Sequence, residues 1–343
     1  MAATIRDVAR RCGVAVSTVS RALNGYSDIT DETREKILKV VEEMDYKPNL
    51  NARNLSSKKS NRIALIISGL LENNPKENLT FRIIQGVYSY TYSHDLDVAV
   101  YATDQEHQTK TSYEKFCEEH NVCGVILSGV TMDDPYFRDL INTQIPCVAI
   151  DVELTGKLAG WVSIDNVRAM AEMTNLLYEN GHEHILVISG KKNAGVTVDR
   201  MTGVFDAMKK KGCELKQEDI LYCDYSEEKA YIETAEYLKK YGKSRHTAIL
   251  CFSDLMALGV IRAVKEAGYR IPEDFSITGF DGIPITEYIE PPLTTVWQDM
   301  KASGYAGVEL LHNRIEGNAS ASHIVLPYRL LKRASVKNIC GQN

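Results

Sequence analysis

The groups in this sequence best suited to binding chemistry are an arginine on a short polar segment, a stretch of basic residues, and acids that follow β-branched runs. Arg21 lies with Val16, Ser17, Ser20 and Asn24 on faces of a segment whose apolar stripe is Val19, Ala22 and Leu23, so its polar groups are free for contacts. Tyr46 to Ser60 carries Lys47, Arg53, Lys58 and Lys59 with no acid, the local charge that a polyphosphate attracts. Farther along, Asp151 and Asp281 each follow a β-rich run and Ser253 ends another, while Arg200 falls in the loop-helix segment after a fourth. Charged donors and acceptors of this kind make directional hydrogen bonds, which suit the hydroxyls of a sugar.

Other chemistries lack their residues. The sequence has no G-x-G-x-x-G and no P-loop for phosphates, no Gly-x-Ser-x-Gly elbow and no His-Glu-x-x-His, which disfavours a cofactor enzyme or a hydrolase. The eight cysteines (12, 117, 123, 147, 213, 223, 251 and 340) form no Cys-x-x-Cys pair, so they read as reduced fillers with no metal or redox role. Composition is that of a soluble globular protein, 44% hydrophobic and 25% charged. No apolar run is long enough to span a bilayer and no signal peptide is visible, so the cytoplasm is the expected compartment. Charge is unevenly placed. Residues 1–60 hold 11 Lys+Arg against 8 Asp+Glu, a net +3, which leaves −9 for the rest of a chain whose total is −6.

The elements that must position these groups can be read locally. Thr4-x-x-Asp7 has the form of a capping box, Ile5, Val8, Ala9 and Cys12 make one apolar stripe, and Gly13 permits a tight turn before the second helix. After the Gly25-Tyr26-Ser27-Asp28 loop, Thr30 caps a third helix whose buried side is Ile37, Val40, Val41 and Met44. Two short helices joined by a Gly-containing turn, the second polar and bearing an Arg, form a helix-turn-helix. Pro48 suits a first helical turn, and Asn49 to Ser56 allow two turns, too few to persist alone in water. From Arg62 on, runs such as Ile63–Ile67, Val98–Tyr101, Gly124–Leu127, Cys147–Ile150, His184–Ile188, Thr247–Cys251 and Ser276–Gly279 alternate with helical stretches, a parallel α/β pattern.

The run Thr4-Ile5-Arg6-Asp7-Val8-Ala9, Gly13-Val14, Thr18-Val19-Ser20-Arg21-Ala22-Leu23-Asn24, Thr33-Arg34-Glu35-Lys36 and Tyr46-Lys47-Pro48-Asn49 closely resembles the lactose-repressor (LacI/GalR) family of bacterial transcription regulators. The likeness continues through Gly181-His182, Arg200-x-x-Gly203, Ser253-Asp254-x-Met256-Ala257-Leu258-Gly259, Gly279-Phe280-Asp281 and Pro291-Pro292-Leu293-Thr294-Thr295-Val296, nearly the whole chain. The resemblance implies that Val16, Ser17 and Arg21 face base edges in the major groove, Arg21 as a paired donor to guanine N7 and O6. It implies that Thr4, Thr18, Asn24, Thr30, Thr33 and Tyr46 hold phosphates, and that the Asn49-containing hinge folds on the operator with Leu55 wedged into the minor groove. Where the family usually has Ser to start the recognition helix, this chain has Ala15, and that missing cap costs about 0.5–2 kcal/mol of local stability.

The same resemblance implies an α/β fold: an N-terminal three-helix DNA-binding domain (1–46), a hinge helix and linker (47–60), and a two-lobe effector-binding and dimerisation domain (61–343) like the periplasmic sugar-binding proteins. Its lobes are expected at about 62–161 plus 292–323 and 162–291 plus 324–343. Ligands of such folds bind outside the carboxyl ends of strands, which sends Asp151, Arg200, Ser253 and Asp281 to one cleft, with Trp161 and Tyr225 as flat walls for a pyranose. Relatives often have aromatics where this chain has Leu79 and Thr80, while Asp254 is expected to cap the helix that follows it. The expected function is that of a repressor that binds a pseudo-palindromic operator as a homodimer, without cofactor, under a small-molecule effector. Whether the effector induces, as sugars do, or corepresses, as purines do, stays open, as does control by a phosphocarrier protein. No long tetramerising tail follows Arg333, which favours a dimer. A sugar-binding transport component would need a signal peptide, and an enzyme would need the missing motifs.

Overall fold

The computed structural model describes residues 4–23, 26, 28–44, 46, 60–70, 79–318 and 321–341. The chain divides into two compact units, Met1–Ser60 and Asn61–Asn343. In the first, α1 (Ile5–Cys12), α2 (Val16–Leu23) and α3 (Asp31–Glu43) surround one small core of Val8, Ala9, Cys12, Val19, Ala22 and Ile37. The capping box forms: Thr4 Oγ1 accepts from the Asp7 amide at 3.4 Å, and Asp7 Oδ2 accepts from the Thr4 amide at 3.1 Å. The hydrogen bonds that the Asp7 carboxylate accepts, first from the Thr4 hydroxyl at 2.6 Å and then from the Thr4 amide, lower the Asp7 pKa. At the other end of α1, Gly13 has φ 69°, the left-handed conformation that lets the chain reverse into α2.

The second unit is built on two parallel-dominated sheets. Along the chain come β1 (Arg62–Ser68), α4 (Leu79–Thr91), β2 (Asp97–Thr103), α5 (Gln105–Lys110), α6 (Tyr113–His120), β3 (Gly124–Ser128), α7 (Pro135–Leu140), β4 (Cys147–Ile150) and β5 (Ala159–Ile164). There follow α8 (Asn166–Glu179), β6 (Ile185–Ser189), α9 (Gly195–Lys210), β7 (Ile220–Tyr222), α10 (Glu227–Tyr241), β8 (Ala248–Cys251), α11 (Asp254–Glu266), β9 (Ser276–Asp281) and β10 (Thr294–Gln298). Last are α12 (Met300–Ile315), β11 (His323–Leu326) and β12 (Tyr328–Leu331). The first sheet has the order β11-β5-β4-β3-β1-β2, and the second β12-β10-β9-β8-β6-β7. All pairings are parallel except β10 with β12. The buried runs that read as strands, such as Ile63–Ile67, are covered on both faces, as parallel sheets require.

The lobe boundaries differ from those expected. β5 extends the first lobe to Ile164, and β10, expected in the first lobe, pairs in register with β9 of the second, Thr294 opposite Thr278 and Trp297 opposite Asp281. The chain thus completes the second sheet before α12 returns to the first. It passes between sheets at Ile164–Asn166, Gln298–Met300 and Leu326–Tyr328. α8 and α9 approach so closely that a Cβ on Gly203 would lie 2.2 Å from the Val167 carbonyl oxygen, so a side chain there would push the helices apart. Arg200 stands one turn earlier on α9. No helix among the described residues is long and apolar enough to cross a membrane.

Candidate functional site

A cavity of about 750 Å³ opens between the lobes of the second unit. It lies at the carboxyl ends of strands, bordered by Ser68 at the end of β1, Ser128 at the end of β3, Asp151 after β4, Asp281 at the end of β9 and Gln298 at the end of β10. The start of α9 brings Arg200 to the same floor, and the loop after β7 brings Tyr225. Four of the six non-glycine residues with positive φ among the described residues line this cavity: Asp151 (63°), Asp224 (53°), Tyr225 (62°) and Asp281 (113°). Each costs on the order of 1–3 kcal/mol unless its surroundings hold it, so backbone strain is concentrated on the cleft.

Arg200 is buried and uses its fork within the protein. Nε donates to Asn166 Oδ1 at 2.9 Å, Nη1 donates to the Phe252 carbonyl, Nη2 lies 3.8 Å from Asp281 Oδ1, and the Phe280 ring centroid is 3.6 Å from the guanidinium carbon. Asp281 Oδ1 also accepts from Gln298 Nε2 at 2.8 Å. On the other lobe Asp151 Oδ1 accepts from Ser163 Oγ at 2.8 Å, and Ser163 Oγ in turn accepts from Asn166 Nδ2 at 3.1 Å. A continuous relay, Asp151–Ser163–Asn166–Arg200, therefore joins the two acid-bearing lobes through the crossover after β5. Burial raises the Asp151 pKa, opposed by the attraction of Arg200 and the Ser163 hydrogen bond. Burial likewise raises that of the Tyr225 phenol, whose hydroxyl hydrogen-bonds to Thr197 Oγ1 at 2.8 Å.

Asp151, Arg200, Tyr225 and Asp281 meet as expected; Trp161 and Ser253 do not. Trp161 lies within β5 opposite His323 of β11 and stacks on that ring, centroids 4.4 Å apart and planes within 9°, away from the cavity lining. The strand had not been recognised, and its pleat decides where the indole goes. Ser253 is buried as the N-cap of α11, its Oγ accepting from the Met256 amide at 3.2 Å. Asp254, expected to be that cap, instead accepts from the Ile283 amide at 2.9 Å and from Thr295 Oγ1 at 2.6 Å, tying down the turn after Asp281. Leu79 and Thr80 do line the cavity. Gln298 was missed, because the residues from Pro292 on were assigned to the first lobe; its place at the end of a β-branched and aromatic Thr-Thr-Val-Trp-Gln run was the available signal. At the cavity's rim the lobes touch: the Met132 amide donates to the Asn193 carbonyl at 3.0 Å, and Asn193 Nδ2 donates to Asp133 Oδ2 at 2.9 Å.

In the first unit Val16, Ser17 and Arg21 are exposed on α2, while Val19 and Ala22 of the same helix are buried. Thr18 is half-buried. Thr30 caps α3, accepting from the Thr33 amide at 3.4 Å, and Tyr46 packs against the core. Ala15 offers α2 no side-chain oxygen, and the Thr18 amide is met by the Ala15 carbonyl at 3.0 Å. Asn24, Asn49 and Leu55 lie outside the described residues, as does nearly all of the expected hinge.

Two family descriptions match the chain: "Bacterial regulatory proteins, lacI family" over residues 4–49 and "Periplasmic binding protein-like domain" over 174–336. The HTH-type transcriptional repressor PurR of Vibrio vulnificus (strain CMCP6) is 31% identical over 98% of this chain and 99% of its own. The HTH-type transcriptional regulator MalR of Clostridium butyricum is 30% identical over 98% and 99%. Among solved structures, the transcriptional regulator CelR–cellobiose complex superposes with a TM-score of 0.72 at 26% identity, covering 97% of this chain and 99% of that one. The lac repressor dimer bound to operator and the anti-inducer ONPF has the same fold, with a TM-score of 0.80 at 24% identity over 98% and 100%.

Proposed function

This chain belongs to the LacI family of bacterial regulatory proteins and is a DNA-binding transcriptional regulator, and from that premise we propose that it is a cytoplasmic homodimeric repressor whose operator affinity is set by a sugar or sugar derivative in the interlobe cleft. The observation that carries the effector half is the set Asp151, Arg200 and Asp281, the last two buried, on the floor of a strained, polar cavity. Hydroxyls both donate and accept, so a polyol satisfies acids and cation together. A planar purine needs flat apolar faces, and Tyr225 is the one aromatic among the described lining residues. CelR, a structural relative, is a regulator in complex with cellobiose.

On the DNA side, Arg21 reads a guanine edge, Ser17 hydrogen-bonds to a base and Val16 meets a thymine methyl. Thr4, Thr18, Asn24, Thr30, Thr33 and Tyr46 hold phosphates, while Asn49 and Leu55 belong to a hinge that bends the duplex. A homodimer matches a two-fold operator, and Phe81 and Tyr88 on α4 with Tyr92 just past its end, 95% exposed, supply apolar surface for it. A ligand shifts operator affinity only through its preference for one lobe orientation, which the relay between lobes would sense. The test is a thermal-shift screen of sugars, sugar phosphates and purines on the full chain, then operator gel shifts with each hit. A stabilising sugar that changes operator binding is the expected result; stabilisation by purines and by no sugar would refute the effector class.

A further inference from the structure

We infer that Asp28 is a specificity-determining residue: its carboxylate holds the Arg21 guanidinium so that this cation is withheld from phosphates and spent only on a base edge with two acceptors. The inference rests on the assignment of Arg21 as a base reader. Arg21 stands in the last turn of α2, and the Tyr26 amide donates to the Arg21 carbonyl at 3.1 Å. Tyr26 is itself held from α3, where Arg34 Nη2 donates to its carbonyl at 2.7 Å. Arg21 Nη2 pairs with Asp28 Oδ2, and the guanidinium carbon lies 5.5 Å from the Tyr26 ring centroid. Both partners of the pair are about half exposed, 51% and 46% for the side chains.

A pair so exposed contributes little to folding, and it joins no part of the core. Its consequence falls on charge. Any duplex presents phosphates at every step, and a free arginine binds them without regard to sequence. An arginine already facing a carboxylate gains little by exchanging one anion for another. Guanine N7 and O6 differ, because they are neutral acceptors that a guanidinium edge can meet while another edge stays on the carboxylate. The pair therefore lowers affinity for random DNA more than affinity for the operator, and specificity is the difference between the two.

The test compares the full-length wild type, Asp28→Asn, Arg21→Ala and the double variant. Each is titrated by fluorescence anisotropy onto a random-sequence duplex and onto the duplex that the wild type selects in vitro. Asp28→Asn is expected to bind random DNA about two- to fivefold more tightly, with a salt slope steeper by about 0.9, one further phosphate neutralised. The gain on the selected duplex is smaller, so discrimination narrows. In the Arg21→Ala background the Asp28→Asn change has no effect. Unchanged random-DNA affinity, or an equal gain in the Arg21→Ala background, would overturn the inference, the latter because removal of any negative charge would then explain it. Repeating the selection with Arg21→Ala separates the two layers: an unchanged base preference would remove the base-reading role itself, whatever Asp28→Asn does to random-DNA binding.

Discussion

Replacing Arg200 by Met keeps much of the side chain's length and removes its charge and donors. Asn166 Oδ1 and the Phe252 carbonyl then lose a donor, while the carboxylates of Asp281 and, through space, Asp151 keep the hydrogen bonds from Gln298 and Ser163 but lose their cation. Breaking a buried ion pair from one side costs about 3–5 kcal/mol, because the remaining charge stays buried without a counter-charge. With a urea dependence of about 3 kcal/mol per molar for a unit of this size, the unfolding midpoint of the second unit falls by about 1 to 1.7 M. The deficit depends on pH. Without the cation, the Asp151 pKa, already raised by burial, rises further, so the penalty is full where that carboxyl is charged in the folded state and shrinks as acidification protonates it. The assay is urea unfolding followed by tryptophan fluorescence at pH 8 and at pH 5. A midpoint loss under 0.3 M at pH 8 (a threshold of roughly 1 kcal/mol), or a loss that grows at pH 5, would refute the view that Arg200 neutralises the cleft floor.

Three further outcomes follow from local geometry. Ala15→Ser supplies the missing oxygen to the Thr18 amide and stabilises the first unit by about 0.5–2 kcal/mol, seen as slower amide exchange across α2; unchanged exchange would mean that the present carbonyl contact suffices. Burial raises the Asp254 pKa to about 7, so the stability this group contributes is complete below its unfolded value near 3.8 and is lost as pH rises through about 7. Asp254→Asn cannot ionise, so its stability relative to wild type should improve between pH 5.5 and pH 8, measured by thermal unfolding. Asn193→Ala removes the side-chain bond across the cleft rim and should speed exchange of the Met132 amide about fivefold, as expected for about 1 kcal/mol, whereas equal protection would place the lobe contact elsewhere.

Legibility followed the range of the interactions. The first unit was readable because its signals are local: the Thr4–Asp7 box, the stripe through Val8 and Cys12, and Gly13 at the turn all act within one or two helical turns. Central strands such as β1 and β3 were readable as unbroken apolar runs. The edge strands β11 and β12 have only half-buried and exposed residues, and β7 is three residues long, so they left no such run. Arg200, Asp151 and Asp281 were legible because strand ends converge in an open parallel sheet. Ser253 and Asp254 were exchanged because either can cap a helix; what separates them is the Ile283 amide and Thr295, which the sequence places far away. Trp161 was misplaced with its strand, since only the pairing of His323 with Trp161 turns the indole from the cleft.

The central claim is that occupancy of the interlobe cavity changes how the helix-turn-helix unit holds DNA. Its most direct test is an operator titration of the full chain, with the wild-type selected duplex, in the presence and absence of the sugar that stabilises the wild type in the thermal screen. Operator Kd should change at least tenfold, about 1.4 kcal/mol of coupling, and Asp281→Asn should lose both the stabilisation and the change. A sugar that binds the cavity with full thermal stabilisation and leaves operator Kd unaltered would contradict it.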